Sequence, residues 1–185
     1  MCGRYCLYRE GNEEIRALLD GTEGGFKTGE IFPTDKALVL VRKNGSLRPQ
    51  AMTWGFPGFR GKGVIINARA ETAAEKPMFR ESVQEKRCVI PSNGFFEWSH
   101  DGKKIKYQFN LPGDGVLYMA GLYQDYGEER RFVILTAAAN ESMVAVHNRM
   151  PVVLPKDRVA DWLGDVESAG KLLRAAGPQL VKRET

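Results

Sequence analysis

Cys2 stands directly behind Met1. Methionine is generally trimmed when the next residue is small, and cysteine is small enough. The mature chain then begins with a residue that carries an α-amine and a thiol on adjacent carbons. Such a pair reacts with an aldehyde in two steps. The amine condenses to an imine, and the thiol closes a five-membered thiazolidine ring that is far more durable than the imine. The acidities suit this chemistry. An α-amine titrates near about 8 against about 10.4 for lysine, and a thiol near about 8.5 is partly ionised at neutral pH. A neighbouring cation raises the thiolate fraction, and Arg4 is the candidate. Taken alone, a cysteine at position 2 carries little information.

Three further segments bear chemistry. In Ile66-Asn67-Ala68-Arg69-Ala70-Glu71-Thr72, an Asn and an Arg two apart on an extended segment share a face. The Asn67 amide can then hydrogen-bond a reacting centre while the Arg69 guanidinium holds a phosphate. In Asn93-Gly94-Phe95-Phe96-Glu97-Trp98, Glu97 sits among three aromatics on a β-type run. Apolar surroundings raise a carboxyl pKa and suit it to general acid–base work. In Val146-His147-Asn148-Arg149-Met150-Pro151-Val152, His147 is followed by Arg149 and a Met-Pro break, a pattern for an imidazole held beside a phosphate or carboxylate. Each has a plainer reading. Asn67 could cap a helix from Ala68, Glu97 could be a strand-surface charge, and His147 could face a helix dipole. Arg69 and Arg149 could be in surface ion pairs.

The elements that must position these residues follow from local signals. The 185 residues fit one domain, 1–185, and the 43% hydrophobic and 27% charged fractions are those of an ordinary globular chain. No apolar run approaches a membrane span and the N-terminus is not a secretory signal, so a cytoplasmic protein is expected. The net charge is +4 with a pI near 9.0, which permits nucleic-acid binding without establishing it. Cys2, Cys6 and Cys88 form no disulfide framework, and with only His100 and His147 available neither a metal nor another cofactor is expected. Cys6 and Cys88 read as buried small residues.

Asn12 reads as the N-cap of a short helix closed by Gly21. Ala37 to Arg42 and Leu47 to Trp54 read as strands joined at Asn44-Gly45, and Gly55 to Gly63 as a loop. Val64 to Ile66 reads as a short strand, and Ala70 to Arg87 as a helix that Pro77 interrupts or restarts. Strands are expected at Cys88 to Ile90, Phe95 to Trp98, Ile105 to Leu111, Val116 to Tyr123 and Arg131 to Ala137. Asn140 is expected to cap a short helix ending near His147, Pro151 to Leu154 to be extended, and the last thirty or so residues to be helical with a frayed charged end. This predicts an α+β domain with a curved sheet or open barrel.

Taken in order, Met1-Cys2-Gly3-Arg4-Tyr5, Asn67-Ala68-Arg69 with Glu71-Thr72, Gly94-Phe95-Phe96-Glu97-Trp98 and His147 with Arg149-Met150-Pro151-Val152 resemble the SOS response-associated peptidase (SRAP) family of abasic-site processing proteins. Ala120-Gly121-Leu122 and Ile134 to Asn140 match as well, and the resemblance runs from Cys2 to about Leu154. It implies a single α+β domain with a curved, barrel-like, mostly antiparallel sheet and short peripheral helices. It implies a monomer whose partner is single-stranded DNA containing abasic sites, nucleoid-associated when bound. Cys2 is then the crosslinking nucleophile, Asn67 holds the adduct, Glu97 shuttles protons and His147 protonates the sugar oxygen as the ring opens. Arg4 and Arg69 hold phosphates, and Arg149 is expected to line the DNA groove with them. Autoproteolytic removal of Met1 and an AP-lyase-type activity are also implied.

The chain departs from the family pattern. Gly29-Glu30-Ile31-Phe32-Pro33 stands where relatives carry Tyr-Asn-x-x-Pro, and Phe59 and Arg60 stand where two tryptophans wedge against bases. Both are expected to contact DNA, Arg60 by stacking or through phosphate. The chain is also expected to stop short of a C-terminal segment found in many relatives. Two other functions compete: a cysteine peptidase or amidase using Cys2, Glu97 and His147, and a non-catalytic single-strand-binding module.

Overall fold

The computed structural model describes residues 2–22, 25–58, 61–99 and 102–185. Strand β1 (Tyr5–Leu7) is followed by helix α1 (Glu13–Asp20), β2 (Gly29–Ile31), β3 (Lys36–Lys43), β4 (Ser46–Trp54), β5 (Phe56–Pro57), β6 (Val64–Ile65) and β7 (Asn67–Arg69). Strand β7 runs directly into α2 (Ala70–Ala73), and α3 (Pro77–Glu85), β8 (Arg87–Ser92), β9 (Gly94–Trp98) and β10 (Lys106–Asn110) follow. The rest is β11 (Leu117–Tyr126), β12 (Glu129–Ala138), β13 (Arg149–Pro151), β14 (Val153–Leu154), α4 (Val159–Gly164), α5 (Val166–Arg174) and β15 (Val181–Glu184).

Local chemistry sets several of these boundaries. The Asn12 side chain accepts hydrogen bonds from Glu14 N and Ile15 N, taking up two orphan donors at the start of α1. Asn44 and Gly45 both adopt positive φ, 51° and 78°, as a two-residue hairpin turn requires, and β3 and β4 pair from Lys43↔Ser46 to Lys36↔Thr53. Pro77 opens α3, where its missing N–H costs nothing.

Five strands close on themselves. Strand β4 pairs with β3, β3 with β8, β8 with β11, β11 with β12, and β12 returns to β4 through the parallel pairs Arg131↔Thr53 and Phe132↔Trp54. Closure removes the sheet edges on this path. The interior holds Trp54 stacked on Phe132, with centroids 6.3 Å apart, and Tyr5 tilted against Trp54 at 5.2 Å. Gly121 is required at the crossing of β11 with β8 and β12, since a Cβ there would lie 2.5 Å from Ile90 Cδ1 and 2.9 Å from the Val133 oxygen.

A second sheet runs β15-β10-β9-β1-β2, all antiparallel. Its inner face sends Tyr5, Leu7, Ile31, Phe95 and Phe109 into the core. By strand alternation its other face carries Cys6 and Glu30, Phe96 and Gln108, and Trp98 and Lys106 as cross-strand pairs.

The fold is the expected α+β class with an antiparallel-rich sheet and short helices, and it corrects four local expectations. The segment after Asn140 is a run of turns rather than a helix: Asn140 Oδ1 accepts from Ser142 N as a cap would, but Val146 N and His147 N both turn back to the Met143 oxygen. The charged end is strand β15, not a frayed helix; it pairs with β10 from Val181↔Asn110 to Glu184↔Tyr107. Charged side chains suit such an edge strand. The glycine-rich loop contains β5, which pairs with β6. Asn67 caps nothing, because it opens β7 and the next helix begins at Ala70.

Candidate functional site

Asn67 is placed by one ladder and one side-chain hydrogen bond. Strand β7 lies parallel to β12 with Asn67 opposite Ile134, and Trp54 Nε1 donates to the Ile66 oxygen at 3.0 Å. So held, Asn67 Nδ2 donates to the Cys2 oxygen at 3.0 Å. Its Oδ1 is buried and accepts no hydrogen bond among the described residues, which leaves an oriented acceptor beside Cys2.

Cys2 has no accessible surface, and its thiol reaches the Arg4 oxygen at 3.9 Å. Burial pushes the thiol pKa well above the ordinary range, and the Glu97 carboxylate raises it further. This corrects the expectation of a thiolate favoured by Arg4, whose guanidinium engages Glu30 instead. Cys2 is held as a thiol and needs a base to take its proton. Glu97 acts on Cys2 from β9, where it is 6% exposed. Strand alternation puts Phe95 on the Glu97 face and Phe96 and Trp98 on the other, so its apolar surroundings come from the core rather than from its sequence neighbours.

His147 is fixed by its own backbone. Arg149 N donates to its Nδ1 at 2.9 Å. A backbone N–H can only donate, so Nδ1 is the acceptor and the neutral ring carries its proton on Nε2. The segment is tied to the Asn67 segment by Arg149, whose Nη1 and Nη2 lie 2.6 and 2.8 Å from the Glu71 carboxylate oxygens. Arg149 Nη2 also donates to the Thr136 oxygen on β12 at 2.5 Å. The Arg149 hydrogen bond pushes the Glu71 carboxyl down to about 2.

Cys2, Asn67 and Glu97 therefore come together by direct contact or charge, and His147 joins them through the Glu71–Arg149 strut. Arg69, exposed at the end of β7, shares the Asn67 face. Arg4 lies between two rings, 4.3 Å from the Phe32 centroid and 4.9 Å from that of Trp98. Phe59 and Arg60 lie outside the described residues. The sequence reading left out Glu71 and Lys106 and noted Glu30 only as a departure. Glu71 could have been found from its place two residues after Arg69, and Lys106 from its alternation with Gln108 on β10. A cavity of about 1290 Å³ is lined by Val83, Leu111, Val152, Leu154 and Leu172 among others. It includes none of Cys2, Asn67, Glu97 or His147.

The family model described as SOS response associated peptidase (SRAP) matches residues 1–182. Abasic site processing protein YoaM of Bacillus subtilis (strain 168) is 31% identical over 193 residues, covering 95% of this chain and 84% of that protein. Abasic site processing protein YedK of Escherichia coli (strain K12) is 30% identical, covering 92% and 82%. A crystal structure of a Bordetella bronchiseptica protein superposes with a TM-score of 0.83 over 100% of this chain and 99% of that one, at 24% identity, a likeness of fold.

Proposed function

The chain belongs to the SRAP family, and from that premise we propose that it processes abasic sites in single-stranded DNA by bonding covalently to them through Cys2. The observation that carries this reading is the convergence on Cys2: Asn67 binds its carbonyl oxygen and Glu97 acts electrostatically on its thiol.

Removal of Met1 frees the Cys2 α-amine. The closed abasic sugar opens when its ring oxygen takes a proton from Nε2 of the His147 imidazolium, whose Nδ1–H turns to the Arg149 oxygen 3.2 Å away, while the C1 hydroxyl gives its own proton to water. The amine adds to the aldehyde carbon, the carbinolamine loses water and an imine forms. Glu97 takes the proton from the attacking amine and returns one to the departing hydroxyl. The Cys2 sulfur then adds to the imine carbon, its proton passing to nitrogen by way of Glu97. One water is released overall. Asn67 Oδ1 orients the nitrogen. Arg69 holds a flanking phosphate, and Arg149 keeps the His147 segment in place.

The test uses a single-stranded oligonucleotide carrying one abasic site. The Met1-processed protein should give a shifted band on a denaturing gel, and Cys2→Ala should give none. Cys2→Ser keeps the amine and should give at most a labile imine. A durable crosslink from Cys2→Ala overturns the proposal.

A further inference from the structure

The outer face of the second sheet carries a cluster around Arg4 whose other members, Glu30 and Lys106, have no part in this chemistry. Glu30 on β2 lies between two cations, its Oε2 3.2 Å from Arg4 Nη1 and its Oε1 2.8 Å from Lys106 Nζ. Both cations are seated on rings. Arg4 lies between Phe32 and Trp98, and Lys106 Nζ is 4.1 Å from the Phe96 centroid. The side chains of Arg4, Glu30 and Lys106 are 28%, 30% and 24% exposed, so the cluster opens to solvent at one side. The Lys106 hydrogen bond holds the Glu30 carboxyl below its ordinary range, with Arg4 adding to it, and the group is an anion at neutral pH.

The fold does not need this anion. Strand β2 is joined to β1 through the backbone pairs Tyr5↔Ile31 to Leu7↔Gly29, and partly exposed ion pairs add little stability. What the arrangement does provide is two cations already ordered on aromatic supports around one pair of carboxylate oxygens. Those oxygens fill the place that the two free oxygens of a phosphodiester would take, and fork-shaped donors bind either group. Arg4 Nε, buried and without a partner among the described residues, adds a further donor to the same guanidinium.

We propose that Glu30 is a resident counter-ion that a DNA backbone phosphate displaces from Arg4, which the family resemblance already implies as a phosphate ligand, and that Lys106 is the second cation of that subsite beside Cys2. This rests on the reading that the chain binds single-stranded DNA. Each strand that binds must first break the Glu30 contacts, so ordinary strands are held weakly. Retention then depends on the covalent step, which only an abasic site allows.

The experiment measures affinity for an undamaged single-stranded oligonucleotide by fluorescence anisotropy across a salt series. Glu30→Gln should bind about three- to tenfold tighter at about 50 mM salt, with a slope of log affinity against log salt steeper by about 0.7 for each cation released. Glu30→Ala should do the same, which guards against a fault peculiar to one variant. Glu30→Asp should stay near the parent, and adding Lys106→Ala to Glu30→Gln should cancel part of the gain. An unchanged or weaker affinity with an unchanged slope in both Glu30→Gln and Glu30→Ala overturns the subsite. Crosslinking of an abasic strand by the unaltered protein is read in parallel. If it succeeds while the Glu30 variants do nothing, only the subsite fails; if the unaltered protein neither binds nor crosslinks, the functional reading fails with it.

Discussion

In the proposed mechanism Glu97 and His147 act on different atoms of one adduct, and their variants should separate for that reason. Positioned acid–base groups contribute about a hundred- to ten-thousand-fold in rate. Glu97 serves the imine and the ring closure, and the same transfers run backwards in reversal. Glu97→Gln should therefore slow crosslink formation and crosslink reversal alike, as timed on denaturing gels. In the same proposal His147 serves only the opening of the closed sugar. His147→Ala should slow reaction with an abasic strand and leave reaction with a simple aldehyde nearly intact; an equal loss on both substrates removes the ring-opening role. Arg69 belongs to neither step. Arg69→Ala should weaken binding at every sequence and flatten the salt slope by about 0.7, measured by anisotropy. The candidate residues stood out only as four segments in order that resemble one family; each segment alone has a plainer reading. The role of Arg149 was not legible. Its partner Glu71 is 78 residues away, and nothing in a motif tells whether a guanidinium faces a phosphate or a distant carboxylate.

At the scale of elements, legibility followed the range of the interaction. Asn12, the Asn44-Gly45 pair and Pro77 act within one turn of chain, so the helix start, the hairpin and the helix restart could be read directly. Strand β15 and the turns after Asn140 depend on distant partners. Strand β15 exists because β10 offers an open edge, and Asn140 Nδ2 spends its hydrogen bonds on the oxygens of Gly177 and Pro178. The Glu71–Arg149 strut is another such long-range feature, and it has a pH signature. Its folded carboxyl titrates near about 2, below the ordinary carboxylate value of about 4.3. Its contribution is full above the unfolded value and is lost as pH falls through that window towards about 2. Half of the Glu71 side chain is exposed, so after solvent screening the pair is worth about 1 kcal/mol. Glu71→Gln should thus lower the urea midpoint at pH near 7, and the gap from the parent should narrow progressively below about pH 4. A gap independent of pH would mean that the strut is not the source. Arg149→Lys keeps the charge but loses the fork, and should slow only the His147-dependent reaction with the closed sugar.

The molecule as a whole brings Cys2, Asn67 and Glu97 together from three separate stretches and ties the His147 segment to the Asn67 segment through Arg149 and Glu71. Such a site is only as fixed as the strands beneath it, and Trp54 links the two. Its ring is buried between Phe132 and Tyr5 in the barrel, and its Nε1–H is spent on the Ile66 oxygen, one residue before Asn67. Trp54→Phe keeps most of the ring and removes that donor; the Ile66 oxygen still accepts from Ile134 N at 3.1 Å, so the change costs one hydrogen bond, about 0.5–1.5 kcal/mol. Stability loss alone would not locate the effect, so a matched change is needed. Trp162 on α4 is equally buried, and its Nε1 donates to the Cys88 oxygen at 2.9 Å, on β8 rather than on the segment that carries Asn67. Both substitutions should lower the thermal midpoint by similar amounts. Only Trp54→Phe should also slow crosslinking when the two variants are compared well below their midpoints, because only it frees the strand that holds Asn67 against Cys2. Equal crosslinking rates in the two variants would show that Asn67 is held by the β7–β12 ladder alone, and that the barrel core contributes to folding without setting the geometry of the site.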